Sequence, residues 1–181
     1  MELPEEEHIL NEKKVLLRSV RAEDAAMLVD YLKTVAGETD FLMCYPDEIK
    51  YTVESEKEFL QDYVCSGNKL MMLAFVEGEY AGNCSFEAET GTRRSSYRVG
   101  VGIALLDRFT GRGLGTLMLT RLLEIIRENG FSQAELNVVE GNERAVRLYE
   151  KLGFVKAGRI PDAYRYDDGT SRDLITMVRR L

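Results

Sequence analysis

The chain of 181 residues contains one histidine, His8, and no tryptophan. A lone histidine excludes zinc hydrolases, HExxH metalloproteases and most Ser-His-Asp schemes. Its three cysteines (Cys44, Cys65, Cys84) are an odd number, widely spaced, with no CxxC. That usage gives neither a disulfide framework nor a zinc site, so no metal is expected and a reducing interior is. No apolar run approaches the roughly 20 residues that span a bilayer. The first segment, MELPEEEHILNEKK, is acidic and lacks the apolar stretch of a secretory signal. A cytoplasmic protein without membrane partners is the expectation.

Basic residues are in the minority, 24 Lys and Arg against 31 Asp and Glu, for a formal net charge of −7. This disfavours nucleic-acid binding through a basic face. It suits a cationic small molecule or peptide. Only three prolines occur, and there is no repeat, low-complexity tract or linker. Residues 1–181 therefore read as a single domain, with 1–12 expected as a loose N-terminal tail.

Hydrophobic period gives a mixed pattern along the chain. Val15–Val20 reads as a strand, and Arg21-Ala-Glu-Asp opens a helix that Gly37 stops. An irregular stretch, Glu38–Tyr51, leads to a helix over Val53–Val64. Leu70–Val76 and Tyr80–Glu89 form a hairpin around Glu77-Gly78-Glu79. Tyr97–Leu106 follows the Gly91–Ser96 loop as a further strand. Leu114, Leu117, Met118, Leu122, Ile125 and Ile126 recur at helical spacing, with Gly130 as C-cap. Ala134–Val139 is a strand, Asn142 caps a short helix ended by Gly153, and Phe154–Ile160 and Leu174–Val178 close the chain. The order β-α-α-β-β-β-α-β-α-β-β describes an α/β fold with a mostly antiparallel mixed sheet and four helices.

Three patterns carry chemistry. Thr110-Gly-Arg-Gly-Leu-Gly115 lies between a strand and a helix, so the backbone turns tightly and approaches a ligand without Cβ interference. Unpaired N–H groups and the positive end of the helix dipole follow, a geometry that suits a phosphate or pyrophosphate. Arg112 adds a charge-assisted contact. The same segment also fits a turn that only caps a helix, and it matches neither GxxxxGK[ST] nor GxGxxG. On the preceding strand Gly100, Gly102 and Ala104 share one face, opposite Val99, Val101, Ile103 and Leu105. Such a row of minimal side chains admits either a closely packed helix or a ligand lying along the strand. Finally, Asn142 and Tyr149 are seven apart on one helix face, roughly 10 Å along its axis; a core tyrosine is the alternative reading.

The block Ile103-Ala-Leu through Gly111-Arg-Gly-Leu-Gly115, then Leu136-Asn-Val, Asn142, Ala145 and Leu148-Tyr-Glu-Lys-Leu-Gly-Phe154, resembles the GCN5-related N-acetyltransferase (GNAT) superfamily. Within it the chain is similar to bacterial amine and ribosomal-protein N-terminal acetyltransferases. The resemblance is most specific over residues 97–155. It implies a sheet splayed near its middle and acetyl transfer from acetyl-CoA to a primary amine in a ternary complex, with no acyl-enzyme. It also implies that Gly111, Arg112, Gly113, Leu114, Gly115 and Thr116 hold the pyrophosphate. Ile103, Ala104 and Leu105 would pair with the pantetheine arm, Asn142 would bind that arm further along, and Tyr149 would stand near the sulfur. In that chemistry an N–H near Leu105 stabilises the developing oxyanion, and Tyr149 protonates the departing thiolate as general acid. Members often form homodimers, which the C-terminal strand ending at Leu181 would permit.

The chain departs from the family pattern in three places. Thr110 replaces the usual Gln or Arg before the loop. Asn137 stands where a glutamate base is common, and Gly100 stands at the other common acidic position. Asn83, Ser85, Glu87 and Glu89 share one face of the neighbouring strand, so Glu87 is the substitute base, directly or through water; a solvated strand face is the alternative. Eight acidic residues against two lysines between Glu38 and Asp62 suit a protonated amine as acceptor, with Tyr45 and Tyr164 as candidate walls; the alternative is that Glu54, Glu56 and Glu58 only decorate a helix N-terminus, which leaves Glu38, Asp40 and Asp47 unexplained. The competing function is a non-catalytic acyl-CoA-binding sensor on the same fold. A ping-pong enzyme using Cys84 lacks any neighbour to activate the thiol.

Overall fold

A computed structural model of the protein describes residues 1–89 and 92–181. Gly91, read above as the start of the Gly91–Ser96 loop, lies outside the described residues. The elements are β1 (Glu6–Leu10), β2 (Lys13–Ser19), α1 (Ala25–Glu38), α2 (Val53–Cys65), β3 (Lys69–Val76), β4 (Glu79–Ala88), β5 (Arg98–Leu105), α3 (Leu114–Glu128), β6 (Gln133–Val139), α4 (Glu143–Lys151), β7 (Val155–Arg165) and β8 (Ser171–Arg180). The eight strands form one mixed sheet in the order β1-β2-β3-β4-β5-β6-β8-β7. This is the expected α/β architecture with four helices and one additional strand.

That strand corrects the expectation of a loose tail over residues 1–12. β1 pairs antiparallel with β2 from Glu6↔Leu17 to Leu10↔Lys13. Its half-buried side is Glu6, His8 and Leu10, while Ile9 faces out, so hydrophobic alternation does not mark it. The connecting residues Asn11 (φ 50°) and Glu12 (φ 66°) are both left-handed, as a tight hairpin between right-twisted strands requires.

The chain divides into two compact units: Met1–Glu87 with Gly102–Leu122, and Ala88–Val101 with Leu123–Leu181. In the first, β2, β3 and β4 run antiparallel. Val20, Leu28, Tyr31, Leu60, Leu73 and Leu106 belong to its core cluster. α2 starts at a reciprocal cap, in which Thr52 Oγ1 accepts from Ser55 N (3.1 Å) and Ser55 Oγ accepts from Thr52 N (3.0 Å). Ahead of α1, Asp24 receives both Arg18 Nη groups at 2.7 and 2.8 Å. Burial would raise the Asp24 carboxyl, but the Arg18 guanidinium and the Arg21 amide hold it below its ordinary value. The β3·β4 register slips between Ala74↔Gly82 and Phe75↔Tyr80, which leaves Ala81 as the extra residue of a bulge.

In the second unit β6 runs parallel to the first half of β5, from Arg98↔Gln133 to Gly100↔Glu135. Arg98 grips Glu135 through both Nε and Nη2. β8 lies between β6 and β7 and is antiparallel to both. Val99, Ala134, Leu136, Val146, Phe154 and Met177 are buried. β7 and β8 run longer than hydrophobic pattern implied. Pro161 falls in the irregularity between Ile160 and Tyr164, where its missing N–H interrupts no ladder bond.

Candidate active site

The glycine segment lies in the first unit. Gly111 (φ +71°) and Gly113 (φ +89°) both adopt left-handed backbone, which explains why glycine is needed at each. A Cβ on Gly111 would meet nothing within 4 Å, and one on Gly113 would meet only Leu10 Cδ1 at 3.5 Å. Gly111, Arg112 and Gly113 are exposed, and the fifteen-residue helix α3 begins at the next residue, Leu114. The loop therefore presents open backbone at a helix N-terminus, the arrangement that binds anionic oxygens. Thr110 Oγ1 donates to the Asp107 carbonyl at 2.7 Å.

Ile103, Ala104 and Leu105 precede this loop and are half-buried. Their backbone is fixed from both sides. The Tyr31 hydroxyl donates to the Ala104 carbonyl at 2.7 Å, and Leu106 N donates to the carbonyl of the bulge residue Ala81 at 3.0 Å. The small-residue face is open at Gly102, where a Cβ would meet only Ser85 Oγ at 3.8 Å. Helix packing does not explain this glycine. Backbone crowding occurs instead at Gly82 (φ +145°), which abuts the Ala104–Leu105 backbone.

On β4 the expected alternation holds. Asn83 and Ser85 are half-buried and Glu87 is exposed, whereas Gly82, Cys84, Phe86 and Ala88 are buried. Asn83 Nδ2 donates to the Tyr80 hydroxyl at 2.8 Å. Glu87, with 61% of its side chain exposed, lies 3.7 Å from Lys69 Nζ, which also contacts Asp62. Cys84 is fully buried, and burial pushes its thiol far above the ordinary value. That removes it as a nucleophile at neutral pH. Of the acidic residues between Glu38 and Asp62, Glu38 at the end of α1 accepts from Asp107 N at 2.7 Å and Glu48 from Tyr45 N at 2.8 Å. These two carboxylates thus secure the loop ahead of the glycine segment and a 3-10 turn. Tyr45 is half-buried.

Asn142 and Tyr149 belong to the second unit. Asn142 caps α4, its Oδ1 accepting from Ala145 N at 3.2 Å. Tyr149 is 7% exposed and sets its ring edge-on to Phe154, with centroids 6.0 Å apart. Burial pushes its hydroxyl up to about 12. That hydroxyl forms no hydrogen bond among the described residues, in contrast to Tyr31 and Tyr80, whose hydroxyls are engaged, and it is not a sealed atom, since His8 Nε2 is the one fully buried side-chain polar atom without a partner among the described residues. At the position discussed above for a base, Asn137 Oδ1 accepts from Thr176 Oγ1 at 2.8 Å. Tyr164 is half-buried on β7.

Structure thus adds three residues that sequence reasoning passed over: Tyr31, Gly82 and Asn11, the last donating through Nδ2 to the Arg112 carbonyl at 2.8 Å. A glycine inside a strand was a usable signal for the bulge at Gly82. Tyr31 and Asn11 act across 73 and 101 residues and carry no local signature.

The solved acetyltransferase of the GNAT family from Streptococcus pneumoniae is 32% identical, with a TM-score of 0.86 over 92% of this chain and 99% of that one. The structure of yncA from Salmonella typhimurium, solved with its cofactor acetyl-CoA, shares the fold at 19% identity and a TM-score of 0.80, covering 92% and 94% of the two chains. N-alpha-acetyltransferase MAK3 of Arabidopsis thaliana is 28% identical over 97 residues, 53% of this chain and 50% of that protein. The chain thus spans about half the length of that curated relative. No helix among the described residues is long and apolar enough to cross a membrane. Residues 36–154 match the model of the acetyltransferase (GNAT) family, and the chain belongs to that family.

Proposed function

We propose that this protein is an acetyl-CoA-dependent N-acetyltransferase that acetylates a primary amine, without an acyl-enzyme. The observation that carries the reading is the exposed loop Gly111–Gly113, left-handed at both glycines, at the N-terminus of α3. Exposed backbone at a helix N-terminus suits a diphosphate, and the sheet face at Gly102 is open, a Cβ there meeting only Ser85 Oγ at 3.8 Å. The residues fit the cofactor.

Acetyl-CoA supplies an activated acetyl thioester when bound. Gly111–Thr116 hold its pyrophosphate, with Arg112 adding charge. Ile103, Ala104 and Leu105 offer backbone groups to the pantetheine arm, and Asn142 contacts it further along. The two bonds at Ala104 and Leu106 keep the Leu105 amide in one orientation, which is the preorganisation an electrostatic stabiliser requires. Tyr149 donates the proton to the leaving sulfur. Its raised hydroxyl stays protonated through the neutral range, and no protein acceptor competes for that proton among the described residues. Glu87 receives the proton that the amine loses, directly or through water. The acidic balance of the chain favours a cationic acceptor.

The test is amine-dependent release of CoA thiol from acetyl-CoA, scanned over polyamines, aminoglycosides, amino acids and peptides. Release with matching acetylated product supports the reading. Tight acetyl-CoA binding with no amine turned over supports the non-catalytic sensor instead.

A further inference from the structure

The contact between Asn11 and Arg112 joins the N-terminal hairpin to the glycine loop across 101 residues. It does not stand alone. Leu10 Cδ1 lies 3.5 Å from where a Gly113 Cβ would be. Two turns into α3, Arg121 binds the Glu6 carboxylate through Nε (3.0 Å) and Nη2 (2.8 Å). That guanidinium hydrogen bond holds the Glu6 carboxyl below its ordinary value. Leu10, Val15, Val76, Phe109 and Leu114 line the apolar depression beside Asn11 and Arg112. One hairpin therefore touches the loop, the helix start and the helix body.

The loop needs such support. Arg112 sits between two glycines, the residue type with the most backbone freedom to lose. An anion site made of backbone N–H groups binds well only when those groups already converge, because ordering a loose loop subtracts from affinity. We propose that Asn11 is a positioning residue that presets the glycine loop for a diphosphate ligand, with β1 and β2 as the brace that carries it. The inference rests on the acetyl-CoA reading above and extends it to a segment outside the matched family region, residues 36–154.

Asn11 also has a local reason to be asparagine, since its φ of 50° suits that residue. Two substitutions separate the roles. Asn11→Gly keeps the left-handed turn and removes the amide donor. Asn11→Asp keeps a residue tolerant of that turn and sets an acceptor against the Arg112 carbonyl. Amide hydrogen exchange at residues 111–115 is read first on ligand-free protein, followed by calorimetric titration with acetyl-CoA. In both variants the loop amides exchange several-fold faster, and acetyl-CoA binds about threefold to tenfold more weakly, the share of one neutral hydrogen bond. The loss falls in KM for acetyl-CoA rather than in kcat. Exchange and affinity both unchanged in Asn11→Gly overturn the inference. If the unsubstituted protein does not bind acetyl-CoA, the cofactor reading fails, and the exchange comparison still decides whether Asn11 orders the loop.

Discussion

A Cβ placed on Gly82 would lie 2.3 Å from the carbonyl oxygen of Ala104. Backbone therefore meets backbone where the β4 bulge faces the end of β5, and no side chain can be inserted there. The same carbonyl receives the Tyr31 hydroxyl, and Leu106 N is bound by Ala81. Gly82→Ala forces either a shift of Ala104–Leu105 or loss of the bulge. With the added cost of φ +145°, it is expected to destabilise the protein by about 3 kcal/mol. Urea denaturation reads this directly; an unchanged midpoint contradicts the packing described.

Tyr149 and Tyr31 are both buried tyrosines with opposite expectations. Tyr149→Phe removes a hydroxyl without a protein partner, so stability and acetyl-CoA affinity hold while kcat falls by about 100-fold or more, the size of a general-acid contribution. Tyr31→Phe leaves the Ala104 carbonyl without its donor and costs about 1–2 kcal/mol of stability. Thermal melts beside steady-state kinetics separate the two. Full turnover in Tyr149→Phe removes it from the acid role.

Legibility followed the same divide between local and distant causes. The glycine turn and the Asn142 cap were readable because each is fixed by residues within four positions. β1 was missed because its inward side is Glu6, His8 and Leu10, with polar groups where a core would place apolar ones. The bulge, the Asn11 bond and the Tyr31 bond depend on which strands become neighbours, and hydrophobic period does not encode neighbours. Tyr149 stood between cases: its seven-residue spacing from Asn142 put both on one helix, but its burial and its edge-on packing against Phe154 depend on tertiary neighbours.

Stability is expected to have two pH edges. Burial raises the hydroxyls of Tyr31, Tyr80 and Tyr149 and the thiol of Cys84. Above about pH 9 for the thiol and 10 for the hydroxyls, the ordinary values, the unfolded chain releases these protons while the folded chain retains them, so stability present below that range is lost as the pH rises. Hydrogen bonds from guanidinium groups lower the carboxyls of Glu6 and Glu135. Their contribution is full above the ordinary glutamate range, near 4.5, and is lost as the pH falls through the depressed folded values. Chemical denaturation from pH 3 to 12 is expected to give a plateau about the neutral range with both shoulders. Stability still rising above pH 10 contradicts the assigned burial.

The central claim is that Gly111–Gly115 anchors acetyl-CoA through its pyrophosphate. The direct measurement is calorimetric titration with acetyl-CoA, repeated with a fragment lacking the nucleotide and diphosphate, and repeated on Gly113→Val. A branched residue at φ +89° costs about 1–2 kcal/mol and presses its side chain toward Leu10 Cδ1, so the loop must shift from the conformation proposed to hold the ligand. The account predicts micromolar binding to the intact molecule that collapses both for the fragment and for the variant. A folded Gly113→Val protein that binds acetyl-CoA as tightly as the original contradicts it.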